Sequence, residues 1–202
     1  MSDAPVPAPV PLAEQAARRG ELMRAAEQFL SALRPSWRSD PEMRDTPRRF
    51  ADAWWEMTRG YREGPDCTMF PTDYDGIIVR CGIPFTSICA HHTLPYTGQI
   101  DFAYVPGERK IGISKIIRLV QWAAARFTSQ EELSDMIVAE FEKAVHPKGV
   151  FVVIGALHGC EALRGVRVAG VPTGTSAVAG VFRERPEARA EAEFLFSHLK
   201  PE

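Results

Sequence analysis

Two thiols and three imidazoles are concentrated in two short segments of this chain. Cys89, His91 and His92 lie within four residues of one another, and His158 and Cys160 follow about seventy residues later. The whole sequence holds only four cysteines and five histidines, so these segments contain five of those nine side chains. Thiolates and imidazoles are the ligands that zinc prefers. The pattern therefore predicts a metal site with further titratable groups beside it.

The spacing within each segment separates ligands from neighbours. Two residues stand between Cys89 and His92, so a tight turn brings both side chains to one ion and leaves His91 pointing elsewhere. On a strand, residues two apart share a face at a distance of about 6–7 Å, so a metal bound by Cys160 has His158 beside it. Two thiolates and one imidazole favour zinc, and three protein ligands leave the fourth tetrahedral position for a water.

Two histidines outside the ligand set are available as general acid and base for hydrolysis by a zinc-activated water. The alternative is a structural site whose fourth ligand is Cys67 or Cys81. A structural site has no use for two extra imidazoles beside it, so the sequence favours the catalytic interpretation.

Length and charge limit the classes of partner. The 202 residues are enough for one well-buried catalytic domain with a small helical appendage. The formal net charge of -2 gives no electrostatic reason to bind nucleic acid. The first residues lack the pattern of a signal peptide, and no apolar run is long enough for a membrane helix. We therefore expect a soluble, cytoplasmic protein with reduced cysteines, no nucleic-acid partner and no membrane partner.

The elements that must position these residues follow from hydrophobic periodicity. Residues 1–11 read as a disordered proline-rich arm, 12–60 as an N-terminal helical region and 61–202 as the catalytic domain. Helices are predicted at about 12–33, with a possible break at Gly20, and at 46–59, 114–125, 130–145 and 186–199; strands are predicted at 77–79, 98–105, 149–157 and 166–182. This order predicts an α+β fold with its helices packed on one face of a sheet.

Five motifs, in order, resemble those of the GTP cyclohydrolase I family. They are Thr46-Pro47-Arg48-Arg49, Ser87-Ile88-Cys89-Ala90-His91-His92, Ile111-Gly112-Ile113-Ser114-Lys115-Ile116-Ile117-Arg118, Gln130-Glu131, and His158-Gly159-Cys160 with the following Arg164-Gly165. The resemblance extends from about Asp45 to the C-terminal helix.

The resemblance implies a zinc enzyme that opens the guanine imidazole ring of GTP at C8, releases formate and forms 7,8-dihydroneopterin triphosphate for pterin and tetrahydrofolate biosynthesis. Residue by residue, it implies that zinc is bound by Cys89, His92 and Cys160 and that protons are transferred by His91 and His158.

The resemblance also implies the residues that bind the substrate. Glu131, with Gln130 beside it, would recognise the guanine edge, because a carboxylate accepts hydrogen bonds from the ring N–H and the exocyclic amine. The triphosphate would be held by Arg49, Ser114, Lys115, Arg118 and Arg164, since arginine meets phosphate oxygens through two parallel donors.

The family fold is the tunnelling fold, in which antiparallel sheets and helices of several subunits form a toroid, usually a homodecamer with active sites between subunits. The resemblance therefore implies a homo-oligomer, with GTP or a related purine nucleotide as the ligand.

This chain departs from the family pattern near the site. Ala90 stands where the family has glutamate, Glu132 where it has arginine, and Gly159 where it has a bulkier residue; residues 166–173 replace an Asp- and Thr-rich stretch. These changes leave two alternatives open: a paralogue that stops at the formamidopyrimidine or uses a modified purine nucleotide, and a non-catalytic nucleotide-binding protein stabilised by zinc. A third, a nitrile reductase of the same fold, does not account for the paired histidines.

Overall fold

The computed structural model describes residues 11–199, so most of the predicted N-terminal arm, residues 1–10, lies outside the described residues. The described chain forms two compact units that divide between Gly64 and Pro65. No helix within the described range is long and apolar enough to cross a membrane.

The N-terminal unit is helical. Helix α1 spans Leu12–Leu33 without a break at Gly20, and helix α2 spans Thr46–Met57. Pro47 lies in the first turn of α2, where its missing N–H has no helical acceptor to lose. Phe29 of α1 and Phe50 of α2 contact each other, with ring centroids 6.3 Å apart.

The second unit holds the sheet and the remaining helices. In chain order these elements are β1 Met69–Pro71, β2 Ile78–Cys89, β3 Pro95–Val105, β4 Arg109–Ile111, α3 Ile113–Ala124, β5 Phe127–Thr128, α4 Gln130–Val145, β6 Gly149–His158, α5 Gly159–Ala162, β7 Thr173–Gly180, α6 Val181–Glu184 and α7 Pro186–His198. Five strands form one sheet in the order β5-β2-β3-β6-β7, and β1 pairs with β4 in a separate ribbon. All pairs in the main sheet are antiparallel except β2 with β5.

The expected α+β class with an antiparallel sheet is confirmed. Side chains alternate between the two sheet faces, as the strand period requires. Phe102 of β3 packs against Phe141 of α4, with ring centroids 4.8 Å apart, in the larger core. Phe151 of β6 faces the other way and contacts Phe182 and Phe196, in a smaller core beneath α6 and α7. Helices α3 and α4 thus cover one face, and the C-terminal helices add a second layer on the other.

Two predicted strands differ from those observed. The short strand expected at 77–79 continues to Cys89, so the first metal-ligand segment begins at the end of a long central strand. The strand expected at 166–182 begins only at Thr173, and the preceding stretch from Leu163 has no regular structure. Glycine, valine, alanine and threonine occur both in strands and in irregular segments, and burial is unknown from the sequence. Composition alone therefore predicted the wrong start for this strand.

Candidate metal and active site

The first ligand segment is a tight reversal between two central strands. Strand β2 ends at Cys89, and β3 begins at Pro95. The backbone N–H of Thr93 donates to the Cys89 carbonyl at 2.9 Å, and the Cys89 N–H donates to the Leu94 carbonyl at 2.9 Å. Thr93 has a φ of 55°, a left-handed conformation that is uncommon outside glycine. The reversal brings the ring of His92 back over the Cys89 thiol.

The second segment is not the continuous strand that the sequence analysis expected. Strand β6 ends at His158, and the chain turns into the short helix α5 at Gly159, so Cys160 lies in a helical turn. A Cβ atom at Gly159 would lie 2.6 Å from the Pro95 carbonyl oxygen. The lack of a side chain at Gly159 therefore allows α5 to lie against the beginning of β3.

These turns bring Cys89, His92 and Cys160 together. One possible ligand atom from each residue lies within 4.8 Å of the other two. Cys89 Sγ lies 3.9 Å from His92 Nδ1. Two sulfurs and one imidazole nitrogen are a donor set that fits zinc, and three protein ligands leave one position open. Neither Cys67 nor Cys81 belongs to this group, although both lie in the described chain.

The thiols and their surroundings differ in exposure. None of the cysteines forms a disulfide, and Cys89 is buried while Cys160 is half-buried. Burial, and then the neighbouring Cys89 sulfur, raise the pKa of the Cys160 thiol. A cation between two thiolates removes their mutual repulsion, so this pair suits a metal better than two isolated thiols.

The two remaining histidines stand in different environments beside this group. His91 is exposed, with Nδ1 at 3.9 Å from Cys89 Sγ. His158 is half-buried, and its ring is stacked on Tyr96 with centroids 4.8 Å apart and planes 2° from parallel. Tyr96 and His158 are register partners in adjacent strands, which explains the stack.

One pocket of about 250 Å³ is lined by the three candidate metal ligands and by His91 and His158. Its other walls are formed by Thr128, Ser129, Gln130, Glu131, Glu161 and Thr173. Glu131 is exposed, whereas Gln130 is buried and its side chain is hydrogen-bonded to the protein. Ala90 does not line the pocket.

The N-terminus of α4 is fixed by a capping box. Ser129 Oγ accepts a hydrogen bond from the Glu132 N–H at 3.1 Å, and Glu132 Oε2 accepts one from the Ser129 N–H at 2.9 Å. These bonds satisfy two of the N–H groups that a helix start leaves free. The capping role explains why glutamate serves at position 132, and it holds Glu131 at the pocket wall.

The expected phosphate-binding residues are not all at this pocket. Ser114, Lys115 and Arg118 lie in the first two turns of α3 and do not line it in the described chain. Lys115 and Arg118 both donate to Asp66, the latter at 3.2 Å.

Two further expected cations lie elsewhere. Arg164 Nη1 lies 2.7 Å from His92 Nε2, so this guanidinium contacts one of the three candidate metal ligands. Arg49 lies on α2 in the N-terminal unit, where its guanidinium is 3.9 Å from the Asp45 carboxylate.

Among the residues at the site that the sequence did not predict are Tyr96 and Glu161. Tyr96 supports the His158 ring, a relation that depends on strand register and leaves no signal in the sequence. Glu161 lines the pocket directly after Cys160, and its adjacency to a predicted ligand was the signal available for finding it.

Comparison with known proteins gives a consistent result. The family model for GTP cyclohydrolase I matches residues 22–197. GTP cyclohydrolase 1 of Streptococcus thermophilus is 36% identical over 172 residues, which cover 82% of this chain and 92% of that protein. GTP cyclohydrolase 1 of Mycobacterium marinum is 42% identical over 161 residues, with coverages of 76% and 80%. The protein of the same name from Helicobacter pylori is 35% identical over 153 residues, with coverages of 74% and 85%.

Among solved structures, the apo form of the archaeosine synthase QueF-Like aligns with a TM-score of 0.41 and 18% identity. The alignment covers 58% of this chain and 97% of that one.

Proposed function

Because the chain belongs to the GTP cyclohydrolase I family, we propose that it opens the guanine imidazole ring of GTP at C8, releases formate and forms 7,8-dihydroneopterin triphosphate. The observation that carries this proposal is the convergence of Cys89, His92 and Cys160 in one pocket with His91 and His158. Ring opening with loss of formate needs an activated water and groups that move protons; a metal held by the three candidate ligands would supply the first, and the two histidines would supply the second.

Zinc is the proposed cofactor, held by Cys89, His92 and Cys160. In such a site zinc supplies a water that is acidic enough to act as a nucleophile at neutral pH. Coordination through His92 Nδ1, the nitrogen nearer Cys89, requires the other ring nitrogen to carry a hydrogen. Arg164 would then have to leave that nitrogen, which frees its guanidinium for a phosphate.

Protons are handled by His158 and His91. We assign His158 to protonation of the imidazole nitrogen that leaves C8, because its ring is held rigidly at the pocket wall. His91 is exposed at the mouth of the same pocket, and we assign it to proton exchange with solvent.

Glu131 is the proposed guanine-recognition residue. Its carboxylate is exposed at the pocket wall and has the acceptor geometry for the ring N1–H and the exocyclic amine. The capping box beside it keeps the backbone of this first helical turn in place.

We further propose that the enzyme is a homo-oligomer, a decamer by family resemblance, with each site completed by a second copy. Ser114, Lys115 and Arg118 are the proposed triphosphate ligands, yet they do not line the pocket of their own chain. Their contribution to the pocket of an adjacent subunit would reconcile this proposal with that observation. Arg164 and Arg49 are the further proposed phosphate ligands.

The cytoplasm is the proposed location. The cysteines form no disulfide, and two of them are proposed metal ligands that must stay reduced to bind.

The substitutions near the site are the basis of the alternative interpretation. If Ala90, in place of the family's glutamate, and the altered residues 166–173 change the outcome, the enzyme stops at the formamidopyrimidine or accepts a modified purine nucleotide. Glu161 places one carboxylate at the same pocket, which favours the complete reaction.

Incubation of zinc-loaded protein with GTP, followed by pterin fluorescence and formate detection, tests the proposal. Formate together with pterin supports the full reaction, and opened purine without pterin supports the early stop. If neither formate nor an opened purine appears, GTP hydrolysis is wrong.

The His158→Ala variant distinguishes the enzyme from a zinc-stabilised binding protein. The enzyme should lose turnover by roughly 10²-fold or more while zinc content is retained, because general acid–base catalysis has that magnitude. His198→Ala, at the exposed end of α7, is the matched control and should keep full activity.

A further inference from the structure

The side chain of Gln130 is enclosed by protein rather than open to a ligand. Only 2% of the residue is exposed, although it begins a helix at the wall of the pocket. Its Nε2 atom lies 3.1 Å from the Ile154 carbonyl, 2.9 Å from the Thr173 carbonyl and 3.2 Å from Thr175 Oγ1. The amide group is therefore anchored between β6 and β7.

These neighbours determine which way the amide faces. The two backbone carbonyls can only accept hydrogen bonds. Ser134 Oγ donates its hydrogen to the backbone carbonyl of Gln130 at 3.0 Å. In the 2.9 Å contact between Ser134 Oγ and Thr175 Oγ1, Thr175 must therefore be the donor. Thr175 thus also presents a lone pair to Gln130. All three neighbours are acceptors, so the NH₂ group must face them and Oε1 must face the opposite way.

The opposite side of the amide is occupied by His158. Its Nε2 atom lies 2.8 Å from Gln130 Oε1. An amide oxygen accepts and does not donate, so Nε2 must carry a hydrogen. The ring cannot easily turn away, because it is stacked on Tyr96, whose hydroxyl is bonded to Thr128 Oγ1 at 2.7 Å.

We propose that Gln130 is a positioning residue for His158, one that holds the ring as the Nε2–H tautomer and leaves Nδ1 as the nitrogen that exchanges a proton with the substrate. Gln130 then acts through His158 and does not read the guanine, so guanine recognition falls to Glu131 alone. The catalytic consequence rests on the proposed function, whereas the tautomer does not.

The tautomer is measured directly by two-bond ¹⁵N–¹H correlation spectra of zinc-loaded protein labelled with ¹⁵N-histidine, without substrate. We expect His158 to show the Nε2–H pattern in the neutral ring. A Nδ1–H pattern, or averaged shifts of two exchanging tautomers, would overturn the proposal.

Two variants separate positioning from substrate contact. In Gln130→Leu the acceptor is lost, so we expect mixed tautomers, a fall in kcat of roughly 10- to 100-fold and little change in KM for GTP. Thr175→Val is the matched control, because it removes one neighbour of Gln130 but leaves both carbonyls, and we expect the Nε2–H pattern and kcat to persist. A raised KM with kcat retained in Gln130→Leu would instead make Gln130 a substrate contact.

Failure of the proposed GTP reaction can be distinguished from failure of the proposed role of Gln130. If GTP is not a substrate, the wild-type spectrum and its change in Gln130→Leu still decide whether Gln130 sets the tautomer. If Gln130→Leu does not fold, the wild-type spectrum still decides whether His158 is the Nε2–H tautomer that the contact with Gln130 Oε1 requires.

Discussion

At the scale of single residues, histidines of identical chemistry differ through their neighbours. His92 faces the Cys89 thiol and the Arg164 guanidinium, whereas His158 is packed against Tyr96 and hydrogen-bonded to Gln130. The first environment suits a metal ligand, and the second suits a group whose orientation must not vary during proton transfer. The ligand types could be read from the sequence, but these neighbours could not.

Asp66 is expected to compete with phosphate for Lys115 and Arg118. The hydrogen bond from Lys115, followed by the charges of Lys115 and Arg118, lowers the pKa of Asp66, so the carboxylate is ionised at neutral pH. If these cations bind the triphosphate, Asp66→Asn should lower KM for GTP about two- to fivefold at low salt and less at high salt, with kcat unchanged. Steady-state kinetics at two ionic strengths measure this effect.

The control for that prediction is Asp52→Asn. Asp52 also pairs with two arginines, Arg19 and Arg48, but none of these residues is assigned to the substrate. Asp52→Asn should leave the KM for GTP unchanged. A rise in KM for Asp66→Asn would show that Asp66 orders Lys115 and Arg118 instead of competing with phosphate for them.

At the scale of elements, the first turn of α4 forms one wall of the pocket, and Ser129 caps the N-terminus of this helix. Ser129→Ala removes the cap of the Glu132 N–H and should lower the free energy of unfolding by about 1 kcal/mol. Urea denaturation measures the loss. Ser129→Asp keeps an equivalent acceptor and should stay near the wild type; equal stability of all three proteins would mean that the cap is unimportant.

The elements also show how far periodicity reaches. The helix predicted at residues 130–145 has the observed bounds, because its apolar residues recur at helical spacing. Cys160, by contrast, was expected on a strand and lies in α5, since the close approach of Gly159 to Pro95 depends on a strand distant in sequence. The family match confirms the tunnelling fold.

At the scale of the whole molecule, a bound metal would join the end of β2 and the turn that follows it to α5, which is distant in sequence. Removal of zinc by a chelator should therefore lower the melting temperature, by roughly 5–10 °C for a ligand at about a hundred times its Kd. Thermal denaturation with and without chelator measures the shift. Cys67→Ser should respond as the wild type does, and a Cys160→Ser protein that still responds would place the metal elsewhere.

Assembly yields a second prediction at this scale. If α3 of one copy serves the pocket of another, His158→Ala and Arg118→Ala proteins should each be nearly inactive alone. Subunits mixed in equal amounts under denaturing conditions and refolded should regain roughly a quarter of wild-type activity, because random pairing leaves that share of sites intact. Activity no higher than that of the separate variants would mean that each site is built from one chain.

The sequence by itself determined the candidate ligand types, the Cys89–His92 turn, the helix at residues 130–145 and the family, because each of these depends on residues close together in the chain. Only the tertiary structure decided that Cys160 reaches Cys89 from a helical turn and that the Lys115 and Arg118 side chains pair with Asp66 away from the pocket. It also decided that Gln130 Oε1 lies against His158 Nε2. Strand register and helix packing set these contacts, and both join residues too far apart in sequence for local spacing to encode.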